Sequence, residues 1–340
     1  MRHFIRFGLG LLVVLSIPTL SIAQVNPRAE RKQPTSLVHP VSVHQDNTST
    51  CESCSDQVVT CPKSCESNGR DWLAGILHPT PGCFDDFISP MTNPVFFEDP
   101  RTLTEARAIY LRHKVPLAST GGTIELFAVQ LRAALTDDIS IIATKDGFVM
   151  SSNPLIDDGW ADVSAGLKFN LFRDAERQQL VSAGIVYELP VGSPRAQQGN
   201  GGGLFNVFTS AGMKLGSQGH WVTSGGFLLP ADRAEESSLT FWSNHFDHRI
   251  GCSDFYLLTE FNWYHYLGSG RSFTLAPIEG GDLFNLGTVG VAGNDIVTGA
   301  FGVKWKPQRH FELGVAWEKP LTERRDVLDN RLTVDCIFRY

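Results

Sequence analysis

The chain has 340 residues, of which 42% are hydrophobic and 19% are charged, so it is long enough to bury a sizeable core in one or two domains. Its formal net charge of −7 argues against nucleic acid as a partner, because there is no basic surface to neutralise phosphates. After the first residues, no run approaches the roughly 18 apolar residues that a membrane-spanning helix needs.

The first predicted element is a secretory signal peptide over residues 1–23. Arg2 and Arg6 make the start positive, 8–18 is apolar, and the small residues that end at Ala23 favour cleavage after it. The alternative is an uncleaved membrane anchor, but the apolar run is short for one. We therefore expect the chain to be exported from the cytoplasm.

Residues 24–100 show little periodicity and are predicted to form an irregular, Cys-containing segment that is periplasmic or plug-like. Four cysteines form two closely spaced pairs: Cys51, Cys54, Cys61 and Cys65. Four thiolates can hold zinc, but an oxidising compartment favours disulfides, and the gap between the pairs is short for a zinc ribbon. Both interpretations stay open, and no other metal or cofactor is expected.

Residues 101–340 are predicted to form a single β-domain, because their side chains alternate with a period of two. In 160–172, for example, Val163 and Leu167 share one face, whereas Lys168 lies on the other. Twelve strands are predicted: 103–114, 122–135, 139–149, 159–172, 179–190, 204–215, 220–229, 237–247, 253–267, 295–306, 310–318 and 330–340.

The gaps between these predicted strands alternate between short and long. An even number of strands with short turns at one end and long loops at the other is typical of an outer-membrane barrel. The segment 283–293 is assigned to a loop, because counting it as a strand would break this parity. Two of the strands are weakly patterned, so a fourteen-strand barrel is an alternative.

The predicted fold is an all-β, transmembrane, antiparallel up-and-down β-barrel of about twelve strands. Closure pairs the backbone groups within the sheet, as a bilayer requires, and leaves one strand face to lipid and the other to a polar lumen. The alternative is a secreted, soluble all-β binding or adhesion domain of two packed sheets. The predicted lumen-lining residues carry both signs of charge: Asp162, Lys168, Asn170, Glu188, Lys214, Glu260, Asn262, Lys304, Glu312, Arg331 and Asp335.

No catalytic residue is predicted. None of the ten His precedes a Ser by two positions, the spacing by which lipid-hydrolysing barrels let imidazole deprotonate a hydroxyl, and there is no G-x-S-x-G elbow. His245, Asp247 and His248 have a spacing that can bind a metal, but a polar turn at a strand end is the favoured interpretation. A barrel enzyme that acts on lipid is a further alternative.

Two consecutive segments, 93–116 (NPVFFEDPRTLTEARAIYLRHKVP) and 121–147 (GGTIELFAVQLRAALTDDISIIATKDG), carry a family resemblance. They resemble the start of barrels in the family named MetA pathway of phenol degradation, and the resemblance extends over about 93–340. It implies an outer-membrane channel or transporter that passes small hydrophobic or aromatic solutes. The Cys-containing segment is not part of this pattern.

The expected mechanism is diffusion through a polar lumen whose width is set by inward side chains and by the loops 191–203 and 268–294. The expected partners are a small-molecule solute, outer-membrane lipid and the barrel-assembly machinery. The last of these follows from the strand 330–340, because its terminal aromatic, Tyr340, resembles the signal by which that machinery recognises its substrates.

Overall fold

The computed structural model describes residues 77–274 and 277–340; the predicted signal peptide and the cysteines at 51–65 lie outside the described residues. Within the described part, no helix has the length and apolar character needed to cross a membrane. Its helices are short 3₁₀ turns at Gly82–Phe84, Leu117–Ser119 and Pro194–Ala196.

Fourteen strand segments make up the described sheet: β1 (Glu105–Lys114), β2 (Thr123–Ala134), β3 (Ile139–Lys145), β4 (Phe148–Ser151), β5 (Gly159–Trp160), β6 (Val163–Asp174), β7 (Gln179–Leu189), β8 (Leu204–Leu215), β9 (Gly219–Pro230), β10 (Ser238–Arg249), β11 (Phe255–Gly268), β12 (Asp295–Gln308), β13 (Phe311–Pro320) and β14 (Asn330–Arg339). Segments β3 and β4 lie end to end as one wall strand, and so do β5 and β6. The wall therefore has twelve strands.

The sheet closes on itself. Each wall strand pairs antiparallel with its neighbour in chain order, and β1 pairs with both β2 and β14. The prediction of a closed twelve-strand barrel is confirmed. The fourteen-strand alternative and the soluble two-sheet sandwich are wrong, because 283–293 forms a loop with only isolated bridges and because one closed sheet makes the whole wall.

The period-two pattern of the sequence places side chains alternately outside and inside the wall. In β8, Phe205 and Val207 point outward and are 39% and 42% exposed. Asn206 and Ser210 point inward and are buried. The predicted bounds of this strand, 204–215, coincide with the observed ones, because its alternation is unbroken from one turn to the next.

The two ends of the barrel differ in the length of their connections. One end, called the short-turn end here, carries the turns 135–138, 175–178, 216–218, 250–254 and 309–310. The other, called the long-loop end, carries the loops 115–122, 152–158, 190–203, 231–237, 269–294 and 321–329. The parity of gap length predicted from the sequence therefore holds around the whole wall.

Candidate functional site: a plugged lumen

The short-turn half of the lumen is filled by residues 79–104, which we call the plug. The plug is tied to the short-turn end where Thr80 N–H donates to the carbonyl oxygen of Tyr340 at 2.7 Å. Its apolar side chains are fully enclosed, with Phe87, Ile88 and Met91 each 0% exposed. The lumen is therefore packed in this half, in contrast to the expected open polar pore.

Six buried cationic side chains of the wall lie around the plug, and we call them the cationic belt. Three wall carboxylates, Glu105, Glu312 and Asp335, lie among them. Arg339 bonds both Glu105 and Glu312, at 2.8 and 2.9 Å. These buried, charge-assisted pairs link strands from both sides of the β1–β14 seam. The belt consists of Arg107, Arg132, Lys168, Lys304, Lys306 and Arg339.

Glu98 of the plug is the main acidic partner of the belt. Its carboxylate accepts bonds from Arg132 at 2.6 and 2.9 Å and from Lys168 at 2.7 Å. Lys168 also donates to the carbonyl oxygen of Asp99 at 2.6 Å. All of these groups are buried, so Glu98 neutralises charge that water does not reach.

Other members of the belt bind backbone carbonyl oxygens of the plug. Lys304 Nζ donates to Ser89 at 2.8 Å, and Arg107 Nη2 donates to Pro90 at 2.8 Å. Lys306 Nζ donates to the carbonyl oxygen of Phe87 at 2.7 Å and also to that of Asp85. The plug thus supplies acceptors to wall cations along much of its length.

The opposite side of the lumen holds the plug through a carboxylate. Glu260 accepts the backbone N–H groups of Met91 and Thr92 at 2.7 and 2.6 Å, and also the Thr92 hydroxyl. His245 Nδ1 lies 2.6 Å from Glu260, and its Nε2 lies 3.2 Å from Asp247. His245 and Asp247 therefore face the lumen within β10, which differs from the polar turn expected there.

The long-loop half of the lumen is filled by the loop 269–294, which folds into the barrel. Leu283 and Phe284 pack inside against wall residues such as Leu111. Asp282 anchors the loop to the wall through two bonds to the guanidinium of Arg331, at 2.8 and 2.9 Å. Both ends of the lumen are thus occupied by the chain itself.

The predicted lumen-lining residues fall into two groups. Asn170 and Lys214 are partly exposed and lie toward the short-turn end, where Lys214 pairs with Asp86 of the plug at 3.3 Å. The others are buried inside the barrel: Asp162, Lys168, Glu188, Glu260, Asn262, Lys304, Glu312, Arg331 and Asp335.

Sequence reasoning missed several members of the lumen network. Three of them, Glu105, Arg107 and Arg132, lie on the inward face of β1 and β2 among apolar residues that also point inward. The fourth, Arg339, directly precedes Tyr340. A strict count of period-two parity from Glu105 would have found Arg107. The parity of the final strand would likewise have included Arg339 with Asp335, because two or four residues separate neighbours on one face.

The backbone ladder of the wall is interrupted where β2 passes from β3 to β4. β2 pairs with β3 over 131–134 and with β4 over 124–127, so 128–130 lie outside both ladders. Side chains bridge this break, since Asp146 Oδ1 accepts the N–H of Val129 at 2.8 Å. We call residues 128–130 with 144–147 the wall opening.

A cavity of about 760 Å³ lies at the wall opening. Its lining includes the outward side chains of Phe127 and Trp160, which are 50% and 63% exposed, and the inward side chains of Ile109 and Ala161, which are buried. Ile109, Ala128 and Ala161 also line a cavity of about 20 Å³ between the plug and the loop 269–294. The two cavities are therefore neighbours across the wall.

An unusual carboxyl group lies at the long-loop end. Glu236 is 4% exposed, and its Oε2 has no hydrogen-bond partner among the described residues. Burial, and then the nearby carboxylate of Glu188, raise the pKa of Glu236 from 4.5 to about 8. Glu236 is therefore protonated at neutral pH.

The described residues include side chains of the types that bind metal ions. Within 77–274 and 277–340, no group of three or more His, Cys, Asp and Glu side chains is arranged to hold a metal ion. The rings of His113, His220, His245 and His265 each bond a carboxylate or a backbone carbonyl.

The sequence matches no known protein family and no curated protein. Solved structures are similar in part. The NanC porin is 9% identical with a TM-score of 0.45 over 70% of this chain and 100% of that one. The KdgM porin is 7% identical with a TM-score of 0.42 over 69% and 99%. The β-domain of the Bordetella autotransporter BrkA is 9% identical with a TM-score of 0.44 over 70% and 99%. Likeness at this level carries no weight for function, and the resemblance to the MetA family stays a prediction.

Proposed function

We propose that this protein is an outer-membrane channel for small apolar solutes, which enter sideways from the membrane through the wall opening. The observation that carries the proposal is the cavity of about 760 Å³ at the break between β2 and β3–β4. Its lining is mainly apolar and lies chiefly on the outer face of the wall, where a solute dissolved in the lipid would reach it first.

The outer surface supports a membrane location. Large apolar side chains that point outward recur from strand to strand, among them Phe169 at 40%, Ile185 at 45%, Phe227 at 49% and Phe301 at 64% exposed. Soluble proteins rarely expose apolar surface on this scale, whereas lipid covers it in a membrane barrel. The predicted signal peptide and the closed backbone pairing agree with this location.

A sideways route suits the interior better than a straight axial one. The plug and the loop 269–294 close the two halves of the lumen, so axial diffusion requires both of them to move. The small apolar cavity beside Ile109 lies just inside the wall opening and offers an apolar solute its first site within the barrel. The family resemblance supports aromatic solutes in particular, and we retain β14 with Tyr340 as the proposed signal for barrel assembly.

The test is a substitution that fills the passage. Ala128 lies where the two cavities meet, so Ala128→Phe is expected to block it. The measurement is the uptake of radiolabelled toluene by Gram-negative cells that contain the wild-type or the variant barrel, compared with cells that lack it. We expect the wild type to increase uptake and Ala128→Phe to remove most of that increase.

The matched control is Val207→Phe, which adds a ring to the outer face of β8, away from the opening. This variant is expected to take up toluene as the wild type does. Equal uptake by Ala128→Phe and the wild type would rule out passage through the wall opening. If the wild type does not increase uptake at all, the role as a channel for apolar solutes is wrong.

A further inference from the structure

We infer that the cationic belt is an anion-selectivity site, which the plug occupies as an internal anionic ligand while the lumen is closed. When the plug and the loop 269–294 are both displaced, the belt is exposed to permeating anions and makes the open lumen anion-selective. The inference rests on the proposed role as a channel. It concerns the charge of ions that pass along the short-turn half of the lumen, and not the apolar solutes that enter through the wall opening.

The first support is charge complementarity between the plug and the wall. The plug carries four carboxylates and one guanidinium, a surplus of three negative charges. The belt has six cations among three wall carboxylates, a surplus of three positive charges. Without the plug, the belt keeps this surplus, and buried cations that lose partners are unfavourable.

The second support is the way the belt binds the plug. Lys168, Lys304 and Lys306 each donate to an oxygen of the plug at 2.6 to 2.8 Å. These ammonium groups have donors only, so each one loses an acceptor when the plug leaves: Lys168 loses both of its plug partners, whereas Lys304 and Lys306 keep wall carboxylates. Water or a small anion can supply that acceptor, and an anion also neutralises the charge.

The third support is that the other charged groups of the lumen have partners of their own. Toward the long-loop end, Lys145 pairs with Glu188 at 2.6 Å, and Arg331 lies between two carboxylates. Across the lumen, Glu260 and Asp247 alternate with two imidazole rings. The belt, in which six cations share three wall carboxylates, is therefore where excess positive charge loses its plug partners, and a ring of Arg and Lys side chains selects anions in other pores.

The test uses the full-length chain with a weakened plug, Glu98→Gln with Asp99→Asn, together with Asp282→Asn, which weakens the anchor of the loop 269–294 in the other half of the lumen. Every variant in the comparison carries Asp282→Asn, so the loop is released equally in all of them. The plug substitutions remove two carboxylates from the plug and leave the belt intact. The purified variant is reconstituted in a planar bilayer between two concentrations of KCl, and the reversal potential is measured. We expect a higher conductance than the wild type and a reversal potential shifted toward the chloride equilibrium potential.

A second variant shows whether the belt causes the selectivity. Adding Lys168→Gln and Lys304→Gln to the weakened plug is expected to move the reversal potential back toward zero. The control adds Arg112→Gln and Lys114→Gln instead, which remove two exposed cations of β1 outside the lumen, and it should leave the chloride preference unchanged. Retention of the folded, heat-modifiable band on a gel shows that each variant is folded.

Three results would overturn the inference: a weakened plug that does not conduct, an open lumen that prefers potassium, or a chloride preference that survives loss of the two lysines. Failure of the proposed apolar route is a separate outcome, because toluene uptake through the wall opening does not depend on the sign of the reversal potential.

Discussion

Substituting Glu98 tests whether the plug is held by charge. Glu98→Gln keeps the shape of the side chain but removes the negative charge that faces Arg132 and Lys168. Removing one partner of a buried ion pair costs about 3–5 kcal/mol, because the remaining charges stay buried. Arg132 retains Glu105 at 3.1 Å and Lys168 retains a plug carbonyl at 2.6 Å, so we expect the lower end of this range.

A loss of about 3 kcal/mol corresponds to about a hundredfold increase in the population of the undocked plug, since each 1.4 kcal/mol is a factor of ten. Hydrogen exchange measures this population. The reporters are the amides of Met91 and Thr92, which donate to Glu260 on the far side of the lumen. We expect them to exchange about a hundredfold faster in the variant, with the amides of β8 unchanged.

The matched control is Asp86→Asn. The pair of Asp86 with Lys214 has side chains 57% and 28% exposed, and pairs of this kind contribute at most about 1 kcal/mol. Exchange at Met91 should therefore change less than about tenfold. Exchange in Glu98→Gln that equals the wild type, or that rises equally in β8, would show that Glu98 does not specifically hold the plug.

Three further perturbations test other parts of the barrel. Burial and Glu188 raise the pKa of Glu236 from 4.5 to about 8, so the folded state binds the proton more tightly. The resulting stabilisation of the folded state is complete below pH 4.5 and is lost as the pH rises through 8. Limited proteolysis of the β9–β10 loop should therefore become faster over this pH range. Glu236→Gln should remove this pH dependence. Gly147→Val should lower the thermal denaturation temperature of the barrel, because a Cβ at Gly147 would lie 2.3 Å from a backbone oxygen. Asp282→Asn should make the β11–β12 loop more sensitive to protease, because it weakens the bonds to Arg331.

Each of these perturbations has a matched comparison. Glu235→Gln changes an exposed neighbour and should keep the pH dependence. Gly202→Val places its Cβ 3.3 Å from the nearest side chain and should have a smaller effect on denaturation than Gly147→Val. Asp329→Asn removes a more exposed ion pair and should leave the β11–β12 loop protected. Equal effects within any of these pairs would contradict the corresponding explanation.

The wall was predictable from the sequence because strand alternation is local. The eleven residues 330–340 show the period-two alternation by themselves. An even number of such strands also predicts that short turns and long loops alternate between the two ends of the barrel. The interruption of the ladder at Gly147 falls inside the predicted strand 139–149, where Lys145, Asp146 and Gly147 interrupt the apolar residues. The sequence did not show that Gly147 approaches β2 closely.

The sequence predicted a periplasmic or plug-like segment, but it could not show which residues fill the lumen or what holds them there. The plug has no period, and its position depends on partners far away in the chain, such as Lys304 for Ser89 and Glu260 for Met91. Polar inward residues indicate a polar interior, but they do not distinguish a water-filled pore from one in which the chain supplies the counter-charges. Only the pairing seen in the structure makes that distinction.

The position of Arg339 in the closing strand has a consequence for barrel assembly. Its guanidinium bonds Glu105, at the start of the first strand, at 2.8 Å. Until β14 docks beside β1, that carboxylate lacks one of its two cations and keeps only Arg132. Closure of the seam therefore neutralises charges that the two edge strands carry separately, so electrostatics as well as backbone bonding favours the last pairing step.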